Sequence, residues 1–193
     1  MEEELKAANE TIEKLKAALP KADTTERKIV IIGDSHARNC ADMMMDQMPN
    51  AKVIGFVHPG APQSACLSAM EAHTQDLKEE DCVVIIGGSN DKTKDHEKFL
   101  QVMKDKIPKT KAKVFVCETP VRFDSPQENR NIKKLNRVTE EKAREGGAEF
   151  VEINYRLEKN RSNWTKHGLH LQRSGKRIMV QQIVKSIQKH FLG

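Results

Sequence analysis

The apolar residues of this chain fall into short continuous blocks, separated by longer stretches in which they recur every three or four positions. The blocks, at 28–33, 52–57, 81–86, 113–117 and 149–153, are rich in Val and Ile and read as strands buried on both faces. Between them the spacing predicts helices at about 37–47, 64–73, 96–106, 127–145 and 174–191. Met43, Met44, Met45 and Met48 give the first of these a soft apolar face. Ile132, Leu135, Val138 and Thr139 point inward from the fourth, and Ile178, Ile183, Val184 and Ile187 form the inner stripe of the last. His58-Pro59-Gly60-Ala61-Pro62 is a loop, since its prolines forbid regular structure. A polar loop carrying Trp164 and His167-Gly168-Leu169-His170 precedes the last helix. Continuous apolar strands alternating with helices mean a parallel sheet covered on both faces. The fold class is therefore α/β: a three-layer, flavodoxin-like α/β/α sandwich around a five-stranded parallel sheet.

Ahead of this pattern, Met1, Leu5, Ala8, Ile12, Leu15 and Leu19 are spaced by alternating fours and threes, a heptad seam that Pro20 ends. Residues 1–20 are expected to form an amphipathic helix, 21–27 a polar linker and 28–193 the folded domain. A helix this short is marginal alone in water. It either self-associates as a coiled coil or docks along its own domain.

Composition adds limits. A chain of 193 residues accommodates one domain plus an appendage and buries a core without disulfides or metals. Charged residues make up 32% and aromatics 4%, but the clustering of apolar residues argues for a folded domain and against disorder. The net charge of +5, with Lys104, Lys106, Lys109, Lys111 and Lys113 close together, suits either a solvated basic surface or contact with RNA or anionic lipid. Aromatics are not interleaved with these lysines as base stacking on single strands would need. No apolar run approaches the ~20 residues that span a bilayer, and the acidic, amphipathic start is unlike a signal peptide. The chain is expected not to be transmembrane and to be cytoplasmic. Cys40, Cys66, Cys82 and Cys117 lack C-x-x-C spacing and read as reduced core thiols. His36, His58, His73 and His96 are assigned to surface or loops.

The chemistry-bearing residues sit where strands end. Ser35 follows the first strand, Gly60 the second and Asn90 the third, and His170 precedes the last helix. Ligands of open parallel sheets bind beyond the carboxyl ends of the strands, so these residues should converge. A hydroxyl nucleophile needs a base, usually histidine, and the oxyanion it creates needs preorganised donors. The Ser35 and Gly60 N–H groups and the Asn90 carboxamide would serve. Each residue also has a plainer reading: Ser35 as a helix cap, Asn90 and Asp91 as turn residues, Gly60 as a loop glycine, His170 as a satisfied buried histidine. His167 and His170 have the spacing of a metal pair, but no third ligand is near in sequence, so no metal or other cofactor is expected.

Gly33-Asp34-Ser35, Gly60, Gly88-Ser89-Asn90-Asp91 and His170 in HGLHLQRSGK resemble, in order, the motif blocks of the SGNH (GDSL-type) hydrolases, across essentially all of residues 28–192. The resemblance implies a serine esterase of small, acetyl-like acyl esters. Ser35 would be the nucleophile, His170 the base, and Ser35, Gly60 and Asn90 the oxyanion hole. The family's usual acid lies three residues before the histidine, and here that position is His167. Asp34 is the nearest alternative carboxylate, though only one residue from the nucleophile. Some members of the family work as Ser–His dyads. The other outcome is a catalytically weak or inactive module kept for binding or assembly. A coiled coil directly before such a domain also looks like the esterase domains in first-open-reading-frame proteins of LINE-type retrotransposons, which implies self-association and an RNA or lipid partner.

Overall fold

A computed structural model describes residues 26–192. The expected helix at 1–20 and most of the linker lie outside the described residues. The strands are β1 (Arg27–Gly33), β2 (Ala51–Val57), β3 (Cys82–Ile86), β4 (Lys113–Cys117) and β5 (Glu149–Val151). They pair in the order β2-β1-β3-β4-β5, all parallel, so the sequence of strands reverses direction at β1. The helices are α1 (Cys40–Met45), α2 (Gln63–Cys66), α3 (Met70–Thr74), α4 (Thr93–Lys106), α5 (Pro126–Glu145), α6 (Asn154–Leu157) and α7 (Arg173–Leu192).

Strand side chains alternate between faces, and both faces of this sheet are apolar. Ile29, Ile31, Val84, Ile86 and Phe115 pack with Met44 of α1 and with Met179, Val180, Ile183 and Ile187 of α7. Val30, Ile32, Val83, Ile85 and Val116 face the other way, onto Leu67, Met70, Phe99 and Met103. The three-layer α/β/α sandwich read from the sequence is the observed architecture. All four cysteines are buried and free. No helix among the described residues is long and apolar enough to cross a membrane.

Four details differ from expectation. The helix expected over 37–47 is a 3-10 turn at Ser35–Ala37, then α1, separated by Asn39 at φ 64°. Asparagine is among the few residues that take the left-handed region readily, and it divides the two. The helix expected over 64–73 is α2 and α3, parted by the turn in which Met70 N–H donates to Leu67 O. On α5 the inward stripe is Ile132, Asn136, Thr139 and Ala143, with Leu135 and Val138 only half-buried. Asn136 turns inward because its amide pairs with both backbone groups of Thr119, at 3.0 Å each. Finally, His36 and His96 are buried, not on the surface: His36 Nε2 meets Ser89 Oγ at 2.8 Å and His96 Nε2 meets Thr139 Oγ1 at 2.9 Å.

Candidate active site

Strand β1 ends at Gly33, which pairs with Ile86 at the end of the neighbouring strand β3. A Cβ there would lie 2.0 Å from Ile86 O, so only glycine fits. The next peptide uses that proximity, Asp34 N–H donating to Ile86 O at 3.1 Å, and His58 N–H donates to Gly33 O at 2.8 Å. Asp34 then caps the 3-10 turn, its Oδ1 accepting His36 N–H at 2.8 Å. The turn stands Ser35 up at the carboxyl edge of the sheet, where its Oγ meets His170 Nε2 at 3.1 Å. The two residues are 135 positions apart in sequence.

The loops after β2 and β3 close around this pair. In His58-Pro59-Gly60-Ala61, Ala61 N–H donates to His58 O at 3.1 Å and Gly60 has φ 77°, with proline one position earlier. That is the arrangement of a type II turn, whose third position needs a positive φ. Gly60 is thus more than a loop filler. Asn90 Nδ2 donates to Asp34 Oδ2 at 3.2 Å and to Ala61 O at 3.4 Å, and Gln63 N–H donates to Asp91 Oδ1 at 2.9 Å. The loops carrying Ser35, Gly60 and Asn90 are therefore laced to one another. Among the described residues, the Ser35 and Gly60 N–H groups have no acceptor.

His170 is held by its own loop. Thr165 N–H donates to His170 O at 2.8 Å, Gly168 N–H to Thr165 O at 2.9 Å, and Trp164 bridges Leu171 in antiparallel fashion. Trp164, expected in a polar loop, is 1% exposed, with its Nε1–H on Val121 O at 2.9 Å. Arg161 donates to the carbonyls of Trp164, Thr165 and Lys166. Lys176, one turn into α7, donates to Arg38 O at 2.7 Å and to Ser35 O at 3.5 Å, tying that helix to the turn that carries Ser35.

The charges follow from burial. The Asp34 carboxyl is pushed up to about 6 by burial, against the pull of the His36, Gly88 and Ser89 N–H groups and the Lys176 charge. Asp91 is likewise pushed up to about 6, chiefly by burial. His36 is driven down to about 3 by burial first, then by the neighbouring His170, Lys176 and Arg122. It is a neutral ring, its centroid 5.6 Å from that of His170 and its Nδ1 without a partner.

Asp34 is bonded to His36 and Asn90 and makes no hydrogen bond to His170. His167 is exposed and no carboxylate pairs with His170 at that position. Sequence reasoning missed His36, Lys176 and the Arg122–Asp124 pair. The pair's Nε–Oδ1 and Nη2–Oδ2 distances are 3.0 and 2.7 Å. A cleft of about 180 Å³ opens beside Ser89, lined by Lys92, Thr119, Arg122, Glu128 and Asn131 among others. His36 carried one signal, its place directly after the serine. The others carried none.

The chain has the fold of the SGNH (GDSL-type) hydrolases. It is similar to a GDSL-like lipase from Bacteroides thetaiotaomicron, with a TM-score of 0.71, 19% identity and coverage of 94% of this chain and 97% of that one. It is similar as well to an acetylxylan esterase from Geobacillus stearothermophilus, at TM-score 0.64, 15% identity and coverage of 83% and 94%. A lipolytic protein of the G-D-S-L family from Veillonella parvula gives 0.69, 14%, and 82% and 97%. No protein-family model matches the chain, and no curated protein matches it.

Proposed function

We propose that the chain is a serine ester hydrolase acting on short, acetyl-like acyl esters. The observation that carries this reading is the 3.1 Å contact between Ser35 Oγ and His170 Nε2, at the carboxyl edge of a parallel sheet. In this mechanism His170 Nε2 takes the hydroxyl proton while Oγ attacks the ester carbonyl carbon. The tetrahedral oxyanion is met by the Ser35 N–H, the Gly60 N–H and the Asn90 carboxamide. Of the two bonds Asn90 makes at rest, the one to Ala61 O is the longer at 3.4 Å, and it is the one the oxyanion replaces. Collapse expels the alcohol, which takes the proton back from His170. Water, deprotonated by the same ring, then attacks the acyl-enzyme, and the acid leaves with Ser35 restored.

A second reading, a fold kept for binding or assembly with catalysis lost, draws on one observation: position 167 holds an exposed histidine where the usual acid would be. Hydrolysis of p-nitrophenyl acetate separates the two. Ser35→Ala and His170→Ala should each lower turnover by about three orders of magnitude. Equal rates in these variants and the unaltered protein would end the esterase reading.

A further inference from the structure

We propose that Asp124, on the loop after β4, supplies the carboxylate that position 167 lacks and is the positioning residue for His170. The inference rests on the reading of Ser35 and His170 as nucleophile and base. A base in such a pair must present one nitrogen to the serine and hold its proton on the other, and a carboxylate enforces that tautomer while stabilising the imidazolium that forms. Here Nε2 faces Ser35 Oγ, and His170 Nδ1 has no hydrogen-bond partner among the described residues. A carboxylate with spare acceptor capacity beside that ring would complete the arrangement.

The loop bearing Asp124 is fused to the turn that leads into His170. Phe123 N–H donates to Gly168 O at 2.8 Å. A Cβ on Gly168, which has φ 80°, would lie 2.7 Å from Asp124 N and 2.9 Å from Phe123 Cβ. The backbones of Asp124 and Gly168 are therefore in contact, two residues from the base. That loop is also unusually well fastened from below. Asn136 holds both backbone groups of Thr119, Asn154 Oδ1 accepts Val121 N–H at 2.9 Å, and Asn129 accepts Arg122 N–H at 2.6 Å. Trp164 Nε1–H on Val121 O joins it to the base loop a second time. Two buried amides, Asn136 and Asn154, and the half-buried Asn129 thus hold one connection, and they fix the backbone that carries Asp124 against the loop of His170.

The other nearby carboxylates are committed elsewhere. Asp34 accepts from His36 N–H and Asn90 Nδ2; Asp91 accepts Gln63 N–H at Oδ1 and keeps a buried, unpartnered Oδ2, but neither is bonded to His170 or carried on the loop fused to its turn. Asp124 is gripped by Arg122 through one bond to each oxygen, at 3.0 and 2.7 Å. An ionised carboxylate has about two acceptor sites on each oxygen, so one remains free on each; at rest Asp124 bonds Arg122 and makes no hydrogen bond or ion pair with His170, and its bond to Nδ1–H is proposed to form as the imidazolium does. Arg122 fixes the plane of the carboxylate and keeps it charged. Its hydrogen bond is the main cause holding Asp124 below the usual carboxylate range, and the His170 charge adds to it. Arg122 and Asp124 thus play orienter and acid from a loop on which the usual motif places neither. Catalytic hydrogen bonds of this kind commonly tighten only when charge develops.

The test is p-nitrophenyl acetate hydrolysis across pH by Asp124→Asn, Asp124→Glu and the double variant Asp124→Asn/His167→Asp, with Ser35→Ala as the reference. Asp124→Asn should lower kcat about a hundredfold or more while KM changes little. It should also move the acidic limb of the kcat/KM profile to lower pH, because loss of a nearby negative charge disfavours a protonated base. Asp124→Glu should keep part of the activity. His167→Asp, which restores an acid three residues before His170, should recover most of what Asp124→Asn loses. A merely structural Asp124 would not be rescued from position 167, so failure of that rescue overturns the proposal. An Asp124→Asn enzyme with unaltered kcat and pH profile overturns it too. If the unaltered protein is no faster than Ser35→Ala, the esterase reading falls and this inference with it.

Discussion

Gly33 and Gly60 lie on the two loops around Ser35, yet different forces make each a glycine. At Gly33 the obstacle is space: the backbone of Ile86 sits 2.0 Å from where a Cβ would be. Gly33→Ala must push β1 from β3 at the pair's last rung and break the Asp34–Ile86 hydrogen bond. A loss of about 3 kcal/mol in urea unfolding is expected, since backbone cannot yield as a side chain can. At Gly60 nothing lies within 4 Å and only the φ of 77° resists a side chain. Gly60→Ala should cost about 1 kcal/mol, the price of one left-handed residue. Equal losses at the two positions would contradict this assignment of causes. The glycines were legible as turn markers from sequence alone, but which force acts at each was not. The contact at Gly33 is made by a strand more than fifty residues away.

At the scale of elements, the central strands β1, β3 and β4 were legible because both their faces are apolar, a pattern no surface helix shows, while the edge strand β2 leaves Lys52 and Ile54 exposed. The short helices were not. Their limits are set by single polar events, the Asp34 cap and the left-handed Asn39. The segment 161–171 hides the most. Its charged composition reads as a solvated loop, yet Trp164 is buried and the turn before His170 is closed by Arg161 and by its own backbone. Trp164→Phe should remove the bond to Val121 O and leave that carbonyl unpaired, lowering stability by about 2 kcal/mol. Because the same turn aims His170, turnover should fall well beyond what lost stability explains. Phe99→Leu, in the opposite layer, is the control. If the two variants lose turnover equally, Trp164 does not align the base.

Over the whole molecule, the buried titratable groups around Ser35 set how stability depends on pH. Asp34 and Asp91 have folded values near 6, above the ordinary 3.8, so they gain protons on folding. Their contribution is fullest below pH 4 and is lost as pH rises through 6. His36, near 3 against an ordinary 6.5, sheds its proton on folding. Its contribution is fullest above pH 6.5 and is lost as pH falls toward 3. Both windows cover pH 4–6 with opposite signs, so the two effects offset each other across it. Single substitutions should uncover each in turn. Asp91→Asn should gain most at pH 7–8, about 1–2 kcal/mol for a half-buried carboxylate, or roughly 3–6 °C in Tm. His36→Phe gives up the Ser89 bond at every pH. Relative to the unaltered protein it should nonetheless fare better at pH 4 than at pH 7. Thermal melts of the three proteins from pH 4 to 8 measure this directly. Parallel curves would mean that neither group is held away from its ordinary value, and that water reaches both freely.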